Sequence, residues 1–464
     1  MKKTLLSILM MLALVPAALM ADGWDQSVYD QIISRIKAPE FKAKEYVITK
    51  YGASTSATAA KNQKAINKAI AACSKAGGGK VVVPAGTFMT GAVTLQSNVN
   101  LVISKDATLR FAFDTSLYPL VYTRWEGLDL MNYQPCIYAN NCKNIALTGE
   151  GTVDGYGSND RWWYMKGNKH HGYNGQTEWQ GTAKKGTRAD LIYMSDTNVP
   201  VKDRIFGKGK GLRPQLVNFV KCENVLIEGV KLLDSPFWVM HPLFCKNLTV
   251  RNVTVVNDGP NGDGCDPESC EDVLIEGCTF ATGDDCIALK SGRNGDGLRA
   301  NIPCKNIIVR NCTMKDGHGG VVVGSEISGG VQNVFAENCK MDSPNLDRVL
   351  RIKTNTCRGG INENIYMRNI EVGQCREAVM RINLVYEPNE PAERGHIPTV
   401  RNVWMENVKC NKSKYGILIN GLEDQDQIYN INVTNCEFNN LSDKPVEITG
   451  KSHDVKLKNV STNW

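Results

Sequence analysis

The sequence contains no stretch in which basic residues alternate with aromatic residues, and aromatic residues make up only 7% of it. We therefore expect no nucleic-acid partner, because such partners are recognised by basic surfaces that carry aromatic platforms. The 16 cysteines include no pair separated by two residues and no cluster with histidine at metal-ligand spacing. No metal site and no other cofactor is predicted.

We also expect no membrane anchor at the beginning of the chain. Residues 1–21, "MKKTLLSILMMLALVPAALMA", have two lysines, a short apolar run from Leu5 to Leu14 and a small-residue tail. This pattern is typical of a signal peptide and is too short for a membrane span. We expect a secreted protein, periplasmic or extracellular, with no membrane partner. The net charge of +6 stays positive without Lys2 and Lys3, which suits a polyanionic partner.

What the sequence does contain is a repeat. Its pattern is Asn or Asp, then apolar and variable residues in alternation, then Asn or Gly. Most copies follow one another within the interval of roughly 20–50 residues that is typical of solenoids and propellers. Each copy carries one short strand with period-2 alternation. The copies begin at Asn144, Asn224, Asn247, Asp272, Asn306, Asn333, Asn364, Asn402, Asn430 and Asp454.

Short strands that recur about once per coil predict an all-β fold, a right-handed parallel β-helix or solenoid. Helical repeats would need a period near 3.6, and propeller blades would need four strands per unit. One solenoid accounts for residues 22–464 as a single domain. Its N-terminal cap is expected over about 40–110, with a capping helix at 59–75. A long insertion without repeats spans about 155–214.

Nine of the cysteines keep a fixed distance from the repeat Asn or Asp, either two residues before it or six after it. This register predicts inward ladders of small buried thiols rather than a disulfide framework. The expected secretion still permits some bridges, so that alternative stays open.

Charged residues recur on neighbouring coils in the same register. Asp284 follows the repeat mark Asp272 at the same distance at which His318 follows Asn306. Asp263 precedes Asp284 by about one coil, and one coil later in sequence means one rung over in space. Four successive rungs should therefore present Asp263, then Asp284 with Asp285, then His318, then Arg351 with Lys353.

These residue types suit glycoside hydrolysis. The reaction needs one protonated carboxyl for the leaving oxygen and one ionised carboxylate to activate water or attack the sugar. Crowding three aspartates raises the pKa of at least one of them. Adjacent strand residues point oppositely, so Asp284 and Asp285 share a groove only at a bulge or turn, which Gly283 favours. The Arg351 and Lys353 pair suits a substrate carboxylate, which implies a sugar acid.

The ordered motifs "NGD" at Asn261, "GDD" at Gly283, "GHG" at Gly317 and "RIK" at Arg351 resemble glycoside hydrolase family 28, the polygalacturonases and their relatives. The resemblance covers nearly the whole chain after the signal peptide. It implies a metal-free, inverting hydrolase of α-1,4-linked galacturonan, so the expected partner is an acidic polysaccharide such as pectin, polygalacturonate or oligogalacturonides. A monomer is expected.

By motif match, the resemblance implies a role for each of these residues. Asp284 is the general acid, and Asp263 and Asp285 hold and activate the water. His318 tunes the acid or orients the substrate. The galacturonate carboxylate past the scissile bond is gripped by Arg351 and Lys353, with Tyr386 as a further candidate. The first motif keeps Asn261 but has Gly262 where the family usually has Thr or Asn.

The stretch "SPFWVMHP" and the long loop after "CIALK" are similar to the bacterial exo-acting branch of the family. Trp238 and His241 in that stretch are candidate substrate contacts, with core packing as the equal alternative. The insertion lies on the side of the site opposite Arg351, so it would close one end of the groove. We therefore expect release of sugars from the non-reducing end.

Three other functions remain open at this point. A rhamnogalacturonan or other branched-pectin hydrolase of the same family would tend to lack the "RIK" pair. A pectate lyase shares the fold but uses calcium and an arginine base. A non-catalytic polysaccharide-binding β-helix would keep the repeats without an acid–base cluster. The "GDD" doublet and its aligned companions argue against the last two.

Overall fold

The computed structural model describes residues 23–463, so the predicted signal peptide at 1–21 lies outside the described residues. None of the helices in this part of the chain reaches the length and apolar character needed to cross a membrane. The chain winds into coils whose strands pair in parallel with the preceding and following coil. The prediction of a parallel β-helix is confirmed.

Three rows of parallel strands run along the solenoid. Ten strands of the first, which we call the repeat row, carry the ten sequence repeats. The repeat row consists of Glu45–Val47, Gly79–Val83, Val99–Ile103, Lys143–Gly149, Glu223–Glu228, Lys246–Arg251, Glu271–Glu276, Cys304–Arg310, Val331–Glu337, Ile361–Val372, Thr399–Cys410, Ile428–Phe438 and His453–Thr462.

The second row continues each coil after a short bend and joins the repeat row through the long strand Ile361–Val372. It consists of Gly86–Thr90, Ala107–Phe111, Thr152–Asp154, Lys231–Leu233, Thr254–Asn257, Thr279–Thr282, Thr313–Asp316 and Lys340–Met341. The third row has two blocks, linked by the bridge-forming residues Cys265 and Glu268. It consists of Val93–Thr94, Ile137–Asn140, Val217–Val220, Met240–Leu243, Ile287–Leu289, Val321–Gly324, Arg348–Lys353, Ala378–Asn383, Tyr415–Asn420 and Val446–Thr449.

The core is a set of side-chain stacks that run the length of the solenoid. One position of the repeat is apolar on every coil, and the strand register places these residues directly above one another. Each is at most 1% exposed. Burial of each of these side chains contributes about 1.5–3 kcal/mol to the free energy of folding. This stack consists of Ile145, Val225, Leu248, Val273, Ile307, Val334, Ile365, Val403 and Ile431. All 16 cysteines are buried free thiols, as the register predicts.

The repeat asparagines explain why each coil turns at the same place. All ten repeat positions adopt a left-handed backbone conformation with φ between 53° and 61°, which Asn and Asp tolerate best among residues with a side chain. The asparagine side-chain amides form a ladder in which each donates to the repeat residue of the preceding coil, for example Asn364 to Asn333 and Asn402 to Asn364, both at 3.0 Å. The ladder satisfies the buried amides and fixes the register of neighbouring coils.

An N-terminal arm, residues 23–43, crosses the outer face of the repeat row and fills a break in this ladder at Asp272. Asp272 has no amide to donate, and Arg35 at the end of the helix Gln26–Arg35 binds both of its oxygens, at 2.7 and 3.1 Å. Asn247, on the preceding coil, exchanges two hydrogen bonds with the backbone of Lys37. The helix packs on an outward apolar stripe formed by Leu274, Ile308, Phe335, Tyr366 and Trp404.

The predicted capping helix forms over Ala59–Lys75, capped by Thr58, whose hydroxyl accepts from the backbone N–H of Lys61. Its apolar face, which includes Ile66 and Ile70, packs over the first coils. The helix therefore covers the open end of the solenoid. The assignment of 22–464 to a single domain stays a prediction.

The insertion at 155–214 is ordered and packs on one side of the solenoid. It contains the helix Thr187–Asp196 and the 3-10 turns Trp163–Lys166, Lys169–His171 and Val201–Asp203. An antiparallel hairpin, Leu120–Trp125 with Leu128–Tyr133, was not expected from the sequence and packs against it. Together they form a second apolar cluster of Trp125, Leu128, Leu130, Leu191, Ile192, Phe206, Leu212, Phe237 and Trp238.

Replacing Asn364 tests the ladder. Asn364→Ala removes two side-chain hydrogen bonds and leaves a residue with a Cβ at φ 57°. Asn364→Gly removes the same bonds but relieves the backbone. We expect Ala to lower the free energy of unfolding by about 2–4 kcal/mol and Gly to lower it by about 1 kcal/mol less than Ala. Urea unfolding followed by tryptophan fluorescence measures both, and two variants as stable as the wild type would contradict the ladder's role.

Candidate active site

The structure places the predicted charged residues on four consecutive coils, at or near the beginning of each coil's third-row segment. Cys265 pairs with Ile287, Ile287 with Val321, and Val321 with Leu350. Asp263, Asp285 and Gly319 each stand two residues before one of these paired positions, and Arg351 and Lys353 lie in the last strand of the four. Because the register holds across these coils, residues far apart in sequence meet in one cleft.

The aspartate doublet sits in a turn, as its sequence requires. The strand Thr279–Thr282 ends just before it and Ile287–Leu289 begins just after it. The hydroxyl of Thr282 donates to the carbonyl of Asp284 at 2.8 Å and holds the turn. A side chain at Gly283 would collide with the carbonyl oxygens of Asp258 and Gly259, both 2.8 Å from an ideal Cβ. Both carboxylates therefore reach the same side of the sheet.

Asp263, Asp284 and Asp285 form a carboxylate triad. Each contributes one oxygen to a group in which all lie within 4.8 Å of one another. Asp285 is the innermost and is fully buried. It accepts a hydrogen bond from Lys353 Nζ at 2.7 Å and one from Arg351 Nη1 at 3.2 Å. In the free protein these two cations therefore compensate Asp285, whereas the sequence suggested only a role toward substrate.

Asp284 is the member of the triad that faces the cleft. Its side chain is 21% exposed, compared with 4% for Asp263 and 0% for Asp285. His318 Nδ1 lies 3.0 Å from Asp284 Oδ1. The glycines beside His318 allow this approach, because a Cβ at Gly317 would lie 2.7 Å from the carbonyl oxygen of Asp284. The glycine at position 317 thus permits the close approach of two protein segments.

The three carboxyl groups differ in how readily they ionise. Burial raises the pKa of Asp263 to about 7, and the charge of Asp284 adds to this shift. Burial disfavours ionised Asp284 too, but the hydrogen bond and positive charge of His318, together with the charges of Lys353 and Arg351, outweigh it and lower its pKa. The charges of Lys353 and Arg351 likewise overcome burial and lower the pKa of Asp285. The expected raised carboxyl is therefore Asp263, not Asp284, in the free protein.

Asp263 has two close charged neighbours that the sequence did not single out as catalytic. Lys290 Nζ lies 3.6 Å from both Asp263 and Asp266, and it donates to Glu326 at 3.0 Å. Both oxygens of Asp266 are buried without a hydrogen-bond partner, and burial followed by the charge of Asp263 raises its pKa well above the usual range. Burial therefore favours the neutral form of Asp266.

The triad is also the one group of described residues with a spacing that suits metal ligands. Its charges are already compensated, however, by Arg351, Lys353 and Lys290. Calcium takes six to eight oxygen ligands and would compete with these cations for the same oxygens. The residues present fit acid–base chemistry better than a metal site.

Around the triad the cleft is lined by fifteen residues, of which eight are predicted site residues. Those eight are Trp238, Asn261, Asp263, Asp284, His318, Arg351, Lys353 and Tyr386. Asp285 lies beneath the surface that they form. The ring of Tyr386 lies over the cations, 5.6 Å from the guanidinium of Arg351 and 5.4 Å from Lys353 Nζ. The remaining lining residues are Glu126, Lys166, Arg188, Lys290, Ser325, Glu326 and Glu387.

His241 does not line the cleft. It is fully buried, its Nε2 lies 2.8 Å from Glu268, and Gln215 and Asn218 approach its Nδ1 at 3.2 Å. The prediction that His241 contacts substrate is therefore not supported, and its packing alternative is favoured. Trp238 packs edge-on against His241 and carries Lys290 Nζ 4.6 Å above its ring. Trp238 reaches the cleft but is only 2% exposed.

Buried ion pairs fix the loops around the cleft. Arg293 is fully buried and binds Glu390 at 2.7 Å and Glu126 at 3.1 Å. Arg358 also binds Glu390, at 2.7 Å. These pairs connect the hairpin, the loop after Ile287–Leu289 and the loop that follows Ala378–Asn383. The last of these loops carries Tyr386 and Glu387 into the cleft.

The chain is similar to known proteins over most of its length. The family model described as "Glycosyl hydrolases family 28" matches residues 202–398. The crystal structure of an exopolygalacturonase from Thermotoga maritima is 37% identical, covers 94% of this chain and 96% of that chain, and superposes with a TM-score of 0.86.

Two curated proteins are similar over a shorter span. A protein of Vitis vinifera named a probable polygalacturonase is 31% identical over 321 residues, which is 67% of this chain. The exo-poly-alpha-D-galacturonosidase of Dickeya chrysanthemi is 27% identical over 361 residues, which is 74% of this chain. The matched region spans 57% of the length of each of these relatives.

The raised pKa of Asp263 predicts a pH-dependent effect of Asp263→Asn. Between pH 4 and 7 the folded state keeps a proton that the unfolded state releases, so wild-type stability falls as the pH rises through this window. Asn removes this cost, which reaches at most about 4 kcal/mol above pH 7. The variant should therefore gain more in thermal midpoint at pH 8 than at pH 4. An equal gain at both pH values would refute the raised pKa.

Proposed function

We propose that this chain, which belongs to glycosyl hydrolases family 28, hydrolyses α-1,4-linked galacturonic acid in pectic polysaccharides. The observation that carries the proposal is the carboxylate triad in a cleft that also holds Arg351 and Lys353. A carboxylate cluster supplies the acid and base of glycoside hydrolysis, and the cations suit a substrate that carries a carboxylate on each sugar. The names of the similar proteins support the same substrate class.

Asp284 has the position that a general acid needs. It is the most exposed carboxyl of the triad, so it is the one that a glycosidic oxygen in the cleft can reach. Asp263 and Asp285 lie deeper, where they can hold a water and accept its proton. His318 is hydrogen-bonded to Asp284 and also borders the open cleft. This position suits a role in orienting Asp284 or the substrate.

The proton that Asp284 must donate is carried by Asp263 in the free protein. When a substrate carboxylate binds at Arg351 and Lys353, part of the positive charge that keeps Asp284 ionised is neutralised. The proton then moves from Asp263 to Asp284, whose oxygens lie within 4.8 Å. Asp284 passes it to the leaving oxygen, and Asp263, now ionised, accepts a proton from the attacking water together with Asp285. The triad thus ends the reaction with as many protons as it began.

We further propose release from the non-reducing end. The insertion contributes Lys166 and Arg188 to the cleft, and the hairpin beside it contributes Glu126. Lys166 is bound to Asn261 on the first of the four coils, whereas Arg351 lies on the fourth, so the insertion can close the groove at the end away from Arg351. The exo-acting relatives from Thermotoga maritima and Dickeya chrysanthemi support this mode.

Secretion to the periplasm or the exterior is likewise a proposal, supported by the pattern of residues 1–21 alone. Fractionation of cells that express the full chain would test it. The protein should be found outside the cytoplasm and should lack the predicted signal peptide, whereas an uncleaved cytoplasmic chain would contradict the proposal.

A time course on polygalacturonate without added calcium tests the chemistry. We expect saturated monogalacturonate from the earliest time point, and roughly 10²–10⁴-fold slower release by Asp284→Asn, because one general acid is lost. The matched control is Asp342→Asn, which removes the same charge from an exposed aspartate outside the cleft and should leave the rate unchanged.

Other products would change the proposal in different ways. A ladder of saturated oligomers would keep hydrolysis and overturn exo action. An ultraviolet-absorbing unsaturated product would indicate a lyase. Sugar release only from branched pectin would identify the protein as a branched-pectin hydrolase of the same family.

Proton NMR of the same reaction identifies the anomer that forms first. Inversion of the α-linkage, which the family resemblance implies, should give the β-anomer first, before mutarotation. The triad oxygens lie closer together than the roughly 6.5–9.5 Å usual between carboxyl groups of inverting enzymes. An α-anomer formed first would therefore identify a retaining reaction and would require a nucleophilic aspartate.

A further inference from the structure

We infer that Lys166, in the insertion, forms a second carboxylate-binding position in the cleft, which holds the galacturonate on the other side of the scissile bond from Arg351 and Lys353. The inference rests on the proposed function for the identity of the sugar. Lys166 Nζ donates to Asn261 Oδ1 at 2.9 Å, and Asn261 belongs to the first of the four coils that form the site. Arg351 and Lys353 belong to the fourth.

Lys166 differs from the other cations of the cleft in lacking a carboxylate. Arg188 binds Glu126 at 2.6 Å, Lys290 binds Glu326 at 3.0 Å, and the Arg351 and Lys353 pair binds Asp285. Within residues 23–463, the hydrogen-bond partner of Lys166 Nζ is the neutral amide of Asn261, and no carboxylate forms an ion pair with it. Among the cations that line the cleft, Lys166 is therefore the one whose ammonium group has no direct carboxylate partner and can take one from a ligand.

A second cation stands directly behind it. Arg213 is fully buried, donates to the same Asn261 Oδ1 at 2.9 Å, and otherwise binds the carbonyls of Pro236 and Pro260 and the side-chain oxygen of Gln180. Its Nε is buried without a partner. Two cations thus converge on one neutral oxygen in the part of the site next to Asp263.

This arrangement is costly in the free protein. Burial lowers the pKa of Arg213 to about 9. Burial is also the main cause that lowers the pKa of Lys166; the charge of Glu126 opposes this shift, and the positive charge of Arg213 adds to it. The pKa of His171 falls to about 4 because of burial and the charges of His170, Arg213 and Lys166. Glu126 compensates these cations only from a distance and forms no ion pair with either of them, and like charges held close together in a buried site are destabilising unless a ligand compensates them.

The other lining groups indicate which anion fits. Glu126, Glu326 and Glu387 also border the cleft, so a compact polyanion such as phosphate would meet strong repulsion. Carboxylates accept hydrogen bonds from hydroxyls, however. A ligand with one carboxylate and several hydroxyls matches this combination, which is the chemistry of a uronic acid. Lys166 would bind its carboxylate and the glutamates its hydroxyls.

Lys166→Gln tests the inference, because glutamine can still donate to Asn261 but has no charge. Isothermal titration calorimetry with galacturonate and with galactose measures recognition of the carboxylate without catalysis. We expect Lys166→Gln to weaken galacturonate binding roughly tenfold, as for loss of one charge-assisted hydrogen bond, and to leave galactose binding unchanged. KM for trigalacturonate should rise by a similar factor. The matched control is Lys169→Gln, an exposed lysine of the same insertion outside the cleft.

The thermal midpoint separates binding from a structural role. If Lys166 serves the ligand, Lys166→Gln should be at least as stable as the wild type, because it removes a buried like charge. Equal galacturonate affinity in the two variants, or no measurable affinity in the wild type, would overturn the inference. Galacturonate binding that depends on Lys166 without any hydrolysis would support the inference and refute the proposed function. Hydrolysis that is indifferent to Lys166 would do the reverse.

Discussion

Register between neighbouring coils is the constraint on which the rest of the structure depends. Asp263, Asp284 and Arg351 are far apart in sequence, and they meet only because each coil pairs with the next at a fixed offset. A slip of one residue would turn inward side chains outward and would dismantle the site along with the core. The asparagine ladder prevents such a slip, since an amide displaced by one position would lose both neighbours.

The same regularity lets the fold tolerate an unfavourable concentration of charge. Four coils hold the carboxylate triad together with the buried cations Lys290, Arg351 and Lys353. Burial and neighbouring charges displace the pKa values of several of these groups. Stacks of fully buried aliphatic side chains continue above and below the site without interruption. The stability of the long core is therefore separate from the strain in the cleft, and residues there are free to serve chemistry instead of packing.

Features bound to the repeat were predictable from the sequence, and features outside it were not. The strands at the ten repeat positions, the helix Ala59–Lys75 and the placement of Asp263, Asp284, His318 and Arg351 on successive coils all follow from spacing. Lys166 and Arg188 lie in the insertion, which has no period, so nothing in the spacing brings them to the cleft.

His241 is expected near the substrate because of its position in the coil, but its ring forms a buried pair with Glu268 instead. The pKa order within the triad depends on distances to Lys353 and His318 that sequence does not give. The N-terminal arm did leave a signal, the apolar residues Phe335, Tyr366 and Trp404 at outward positions of the repeat, which require a cover.

The position of that arm has a consequence for the order of assembly. Its helix, Gln26–Arg35, rests on residues from several late coils: Arg35 binds Asp272, Tyr29 donates to Glu337, and the guanidinium of Arg368 lies 3.6 Å from the ring of Trp24. None of these contacts exists until the chain has been made and wound well past its midpoint. The segment that is synthesised early is thus among the last to reach its place, because it docks on the outer face of coils that must form first. Until then, the apolar stripe from Leu274 to Trp404 is exposed to solvent. The partly wound solenoid is therefore the folding stage at which this protein is most prone to aggregate with other chains.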